Sequence, residues 1–258
     1  MRMRLATLVL ATCLLAFTGT SCGASSTPTL TVAAAADLRF AFEDIAEAFE
    51  DECACQVILS FGSSGQFAAQ IEQGLPVDVF ASANISYVDD LDENGLILEG
   101  SQQLYGIGRV VLATPADSAI DPSNIDVLRD PAVDQIAIAN PDHAPYGVAA
   151  KEALLSLGLW DELQPKLVLG ENASQTTQFI ESGDAAAGII PLSLAIQREG
   201  SLRYALIDEG LHNPLEQAAA VVARSAEPEL GRQFIEFVNG PTGRPIMQAY
   251  GFVLQGKE

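Results

Sequence analysis

A chain of 258 residues with 34 acidic and 13 basic side chains carries a formal charge of −21, which makes nucleic acid and anionic lipid poor partners. Beyond the N-terminal segment no stretch reaches the roughly 20 apolar residues that a membrane-crossing helix needs. The remaining length fits one large domain or two lobes of about a hundred residues each.

The first residues have the three-part layout of an export signal: Arg2 and Arg4, an apolar run over 5–17, then the small-residue stretch Thr18-Gly19-Thr20-Ser21-Cys22-Gly23-Ala24. Residues 1–24 are therefore read as a signal peptide and the mature protein is expected outside the cytoplasm. Cys22 stands where a lipoprotein is cleaved and lipidated, with 1–21 as the signal, although Gly19 occupies the place where Leu is usual. Ordinary cleavage behind Ala24 is the alternative. Losing Arg2 and Arg4 takes the charge from −21 to about −23. Cys13 leaves with the signal, so Cys53 and Cys55 are the internal pair available in an oxidising compartment. A bridge across one residue closes a very small ring, and free thiols are the other reading.

The mature sequence alternates β-rich and amphipathic runs, the mark of an α/β fold with mainly parallel strands. A strand is predicted over 29–35 and a helix over 38–49, whose apolar face is Leu38, Phe40, Phe42, Ile45, Ala46 and Phe49. Strand 56–60, helix 66–73, strand 78–81 and helix 85–93 follow. After a longer apolar segment over 104–113 the rhythm restarts with strand 135–139, helix 147–157 and strand 186–190. An apolar strand over 217–222 and helices over 228–238 and 242–250 end the chain. These predict two α/β lobes, each a mostly parallel sheet flanked by helices, joined by two hinge strands with a cleft between. Lobe I would comprise 25–107 and 219–258, and lobe II 108–218.

Ligands of open α/β sheets bind at the carboxyl ends of strands, near helix starts. Four strand-to-helix turns qualify: Ala35-Ala36-Asp37-Leu38, Phe61-Gly62-Ser63-Ser64-Gly65, the turn from Pro141 to Gly147, and Gly170-Glu171-Asn172-Ala173-Ser174-Gln175. Each offers unpaired N–H groups in the positive field of a helix start. Taken singly, Asp37, Ser64 and Ser174 read as helix caps. Gly62 and Gly65 beside Ser63 and Ser64 favour close approach of backbone to a ligand. No metal-ligating cluster stands out. An exported hydrolase built on Ser64, His143 and Asp142 is a rival reading, although no G-x-S-x-G elbow is present. His212 is expected to be exposed, and Trp160 to anchor a helix end.

In this order, and together with Pro76-Val77-Asp78-Val79-Phe80-Ala81-Ser82-Ala83, Ala144-Pro145-Tyr146-Gly147, Leu157-Gly158-Leu159-Trp160 and Tyr250-Gly251-Phe252, the turns resemble the bacterial periplasmic molybdate-binding proteins of ABC importers. The resemblance spans nearly the whole mature chain. It implies a two-lobed periplasmic binding protein fold, no enzymatic activity and no cofactor. The ligand would be molybdate or tungstate, with sulfate or phosphate as the alternative. The partner would be an ABC permease, the protein a monomer, and the location the periplasm or, lipid-anchored, the outer face of the cytoplasmic membrane. Matched residue by residue, Ser64 would donate its hydroxyl and N–H, the Ala36-Asp37 peptide its N–H groups, Tyr146 its phenol and Ala173 an N–H, with Ser63 a neighbouring candidate. Two departures matter. Many members have Ser where Asp37 stands, so its carboxylate is expected to turn away and cap the following helix. Some members use a later tyrosine where this chain has Pro191.

Overall fold

The computed structural model describes residues 27–254; the signal and Cys22 lie outside the described residues. The chain runs β1 (Thr29–Ala35), a 3-10 turn (Ala36–Leu38), α1 (Arg39–Cys53), β2 (Gln56–Gly62), α2 (Ser64–Glu72), β3 (Val79–Ser82), α3 (Ile85–Glu93), β4 (Gln103–Gly108) and β5 (Val110–Pro115). It continues through β6 (Ile136–Ala139), α4 (Pro145–Ser156), α5 (Trp160–Leu163), β7 (Leu167–Gly170), α6 (Ala173–Glu181), β8 (Ala187–Pro191), α7 (Leu192–Ile196) and β9 (Leu202–Leu206). The last elements are β10 (Leu215–Val221), α8 (Pro228–Val238) and α9 (Gly243–Ala249).

Two five-stranded sheets form, in the orders β2-β1-β3-β10-β4 and β7-β6-β8-β5-β9. In each, one strand runs antiparallel to its neighbours: β10 against β3 and β4, and β5 against β8 and β9. The other pairings are parallel. The antiparallel strand is the one that has just arrived from the other sheet. The chain crosses at Arg109, between β4 and β5, and again on the way from β9 to β10.

The apolar segment predicted over 104–113 is thus two strands in different sheets. Strands β7 and β9 are edge strands that the pattern did not single out; Leu169 and Leu206 point outward from them and are about half exposed. The expected change of lobe between 218 and 219 falls inside β10.

Local chemistry explains the elements. Valine and alanine fill β1, whose residues from Val32 to Ala35 are buried. The sheet is covered on one side by α1, through Ala41, Phe42, Ile45 and Phe49, and by α8. Edge-to-face rings of Phe42, Phe49 and Phe234 lock the two helices together at centroid distances of 5.3 to 5.7 Å. Tyr250, at the end of α9, donates to Asp44 of α1 at 2.6 Å, which returns the C-terminus to the first sheet. Helix α1 stops at Ala54, which holds a left-handed φ of 51° inside the disulfide-bonded Cys53–Cys55 pair.

Asp78 pins β1 to the start of α8. Its Oδ2 accepts from the Thr31 N–H at 2.8 Å and hydroxyl at 2.7 Å, and Oδ1 accepts from Ser225 Oγ, Ala226 N and Glu227 N. Burial alone would raise its pKa, but these bonds together lower it. Asp78→Asn, which turns an NH₂ toward existing donors, is expected to cost about 2–3 kcal/mol in urea unfolding at neutral pH. A depressed folded-state value means the wild-type advantage is present above the ordinary carboxylate range. It disappears as pH falls through the depressed value, so the two proteins should converge in acid.

Candidate anion site between the sheets

All four turns singled out in the sequence lie at carboxyl ends of parallel strands, two from each sheet. Parts of them close around one small cavity of about 10 Å³. Residues 35–37, Gly62, Ser64 and Ala83 line it from the first sheet, and residues 144–146 and Ala173 from the second. No lysine or arginine lines it. Helices α2, α4 and α6 begin at this cavity, and Ser64, Tyr146 and Ala173 of their first turns line it; the Gly65 N–H is taken by the His143 carbonyl and the Gln175 N–H by Asn172 Oδ1. A larger depression near Phe49, Phe237 and Pro241 also carries Glu52 and Glu236, which disfavours an anion there.

Ser64 is fully buried. Its Oγ accepts the Ala83 N–H at 3.0 Å, which leaves the hydroxyl proton to donate into the cavity. Tyr146 is also buried, and its hydroxyl accepts from Gln217 Nε2 at 3.1 Å while donating to Asp37. Ala36, Asp37 and Ala173 line the cavity with these two. Ser63 does not; its hydroxyl donates to the His143 carbonyl at 2.6 Å. Because that proton is used, the 2.9 Å contact between His143 Nδ1 and Ser63 Oγ has the ring nitrogen as donor. Pro191 ends β8, paired with Val110, away from the lining.

The lobes are in contact around the cavity. On one rim the Gly65 N–H donates to the His143 carbonyl at 3.0 Å and Gln66 Nε2 to Glu171 Oε2 at 2.8 Å. At the other, Ser193 Oγ donates to the Asp37 carbonyl at 2.7 Å and Ser174 Oγ to the Ala36 carbonyl at 3.4 Å. This is a closed arrangement. His143 pairs with Ser63 rather than Ser64, so the Ser64, His143 and Asp142 group of a hydrolase is not assembled. His212 is half-buried, with Nδ1 2.8 Å from the Asn213 carbonyl, rather than exposed. Trp160 opens α5 and stacks on Lys151 of α4.

Asp37 departs most from expectation. Its carboxylate neither turns away nor caps a helix: no side-chain cap bond exists at the 3-10 turn or at α1, and the residue is 1% exposed. Oδ2 accepts from Gln217 Nε2 at 2.9 Å. Burial pushes its pKa up to about 6, partly offset by hydrogen bonds from Gln217 and Tyr146. The cause of the reversal is Gln217. It is a fully buried amide on the crossing strand β10, 180 residues away in sequence, and it supplies a donor at the cleft floor. Sequence reasoning missed Gln217, Ser193 and Tyr105. The one available signal was a lone amide opening an apolar strand.

Among the described residues no helix is long and apolar enough to cross a membrane and no cluster of His, Cys, Asp or Glu could hold a metal ion. Two α/β lobes closing on a cavity lined by hydroxyl groups, helix starts and one buried carboxyl define a solute-binding class of protein. The chain belongs to the bacterial extracellular solute-binding protein family, whose sequence model matches residues 30–253. It is 33% identical over 223 residues to the molybdate-binding protein ModA of Rhodobacter capsulatus, spanning 86% of this chain and 87% of that protein. To ModA of Escherichia coli K12 it is 35% identical over 232 residues, 88% and 89% of the two chains. The solved periplasmic molybdate-binding protein of Azotobacter vinelandii superimposes with a TM-score of 0.84 at 32% identity, covering 88% of this chain and all of that one. A sulfate-binding protein of Mycobacterium tuberculosis, at 17% identity and TM-score 0.71, shares the fold.

Proposed function

We propose that this chain captures molybdate or tungstate in the interlobe cavity, outside the cytoplasm, and delivers it to an ABC permease. The observation that carries this reading is the convergence of Ser64, Tyr146 and three helix starts on a cavity without a basic side chain. The 33–35% identity to molybdate-binding relatives over most of the chain supports it.

The ligand-contacting set is Ala36, Asp37, Ser64, Tyr146 and Ala173, with Ser63 bridging the lobes at its edge. The two moving bodies are the lobes built on the two sheets, divided at Arg109 and between β9 and β10. The ligand stabilises the closed state through contacts that exist only there. The protein acts as a monomeric binder with no cofactor and no catalytic step.

A fully deprotonated tetrahedral dianion brings only acceptors, and a lining of donors matches it. Phosphate, protonated at neutral pH, brings a donor that finds an acceptor only in an ionised Asp37; where Asp37 is the neutral acid the mismatch costs about 1–3 kcal/mol. Sulfate is acceptor-only, so discrimination against it rests on cavity size, the longer metal–oxygen bonds of molybdate needing a larger shell. Calorimetric titration at neutral pH is expected to show molybdate and tungstate binding alike and phosphate about 10- to 100-fold weaker. Sulfate binding as tightly as molybdate would assign the site to oxyanions generally, and silence from all four anions would remove the proposal.

A further inference from the structure

We infer that oxyanion capture by this chain is coupled to uptake of one proton at Asp37, whose carboxyl takes part in the site as the neutral acid. The inference rests on the oxyanion reading above and adds to it a specificity-determining residue.

The geometry carries the case. The cavity that is to receive a dianion has a carboxylate in its wall. Of its two oxygens, Oδ2 accepts from Gln217, while Oδ1 has no well-aligned hydrogen bond although the Tyr146 hydroxyl and the Asp37 and Leu38 N–H groups lie near the carboxylate; Oε1 of Gln217 is likewise unpaired. An acceptor-only anion satisfies neither orphan. It also meets Asp37 as a like charge, a repulsion of about 2 kcal/mol for a dianion at 4 Å even in bulk water and several-fold more in a closed cleft. Meanwhile the ionised carboxylate claims the phenol proton of Tyr146, the donor that the ligand needs.

One added proton resolves the conflict at Asp37, though not the unpaired Oε1 of Gln217. It removes the repulsion, gives Asp37 a donor, and frees the phenol of Tyr146 to point at the anion. No electron transfer or other bond change is involved; the proton comes from solvent and returns there on release.

The surroundings leave Asp37 as the titrating group. Next to the carboxyl are Gln217 from β10, which does not titrate, and Tyr146 from α4; Tyr105 of β4 feels its charge while donating to the Ser82 carbonyl, and Ser193 of α7 and Ser174 of α6 hold the backbone carbonyls of Asp37 and Ala36. Both tyrosines are held neutral, far above their usual range, by burial and by the Asp37 charge. His143 meets Ser63 through Nδ1 and has Nε2 4.0 Å from Glu171 Oε2 on the rim, so the Asp37→Asn arm below is what separates the two groups. Burial leaves Asp37 half protonated near pH 6, so the acid form is already accessible.

The test is calorimetry with molybdate from pH 6 to pH 8, in buffers of different ionisation enthalpy that report proton uptake directly. If only the acid form binds, affinity falls as pH rises, by about 50-fold across that interval, with close to one proton taken up per anion at pH 8. Asp37→Asn, which keeps a neutral donor in place, should bind with a flat pH profile and at pH 8 at least as tightly as the wild type. Equal wild-type affinity at both pH values with no proton taken up overturns the coupling while leaving oxyanion binding intact. A pH slope that persists in Asp37→Asn overturns it too, by assigning the proton elsewhere. Absence of binding at every pH would instead remove the oxyanion reading itself.

Discussion

Ser64→Ala is expected to weaken molybdate binding about 30-fold, because it deletes the one serine hydroxyl that is both fully buried and free to donate into the cavity. A hydrogen bond to a charged partner contributes about 1.5–3 kcal/mol, or roughly 10- to 150-fold in affinity. The same substitution leaves the Ala83 N–H without its acceptor, so a small loss of thermal stability in the ligand-free protein should accompany it. Titration of the variant alongside a melting curve separates the two effects. Wild-type affinity in Ser64→Ala would show that the hydroxyl serves only to hold the Ala83 turn.

A second large effect is expected from a residue that need not touch the anion. Gly65 lies in the first turn of α2, and a Cβ there would sit 2.7 Å from the His143 carbonyl oxygen and 3.1 Å from His143 Cα, both on the opposite lobe. In an opened protein the His143 backbone is gone and the remaining neighbour is the Tyr87 hydroxyl of the same lobe, 2.9 Å away, the end of a side chain that can swing aside. Gly65→Val should therefore fold normally yet resist closure, and overpacking of this kind costs up to about 3 kcal/mol, near 100-fold in affinity. Small-angle scattering would follow it: the wild type should contract on adding molybdate and Gly65→Val should not. Ligand-induced contraction in the variant would mean that the lobes close by another path.

Much of this was readable in the sequence, for a physical reason. Helix starts, Gly-Ser turns and period-3.6 apolar faces are local properties, so α1, α2, α3 and α8 and the turns carrying Ala36, Ser64, Tyr146 and Ala173 could be located from neighbouring residues alone. What escaped depended on distant partners. The segment over 104–113 reads as one apolar run, and only the pairing of β4 with β10 and of β5 with β8 shows that it changes sheets at Arg109. The short edge strands β7 and β9 gain their identity from β6 and β5. Asp37 was misread because its fate is decided by Gln217. A cap is the natural use of Asp at a helix start when nothing better is near, and the better partner arrives on a strand from the far end of the chain.

The position of the first crossing has a mechanical consequence. Gly108 ends β4 directly under the site, and a side chain there would overlap the Tyr146 hydroxyl and crowd Gln217 Nε2. The fulcrum of the two bodies and the floor of the cavity are thus the same few atoms. A lever pivoted at its load moves the load little and its far ends much. The groups holding the anion can stay close to their places through a rotation that swings the outer rims through a wide arc. On the function proposed above, a membrane partner would feel that outer travel, and occupancy of the cavity would reach it as displacement.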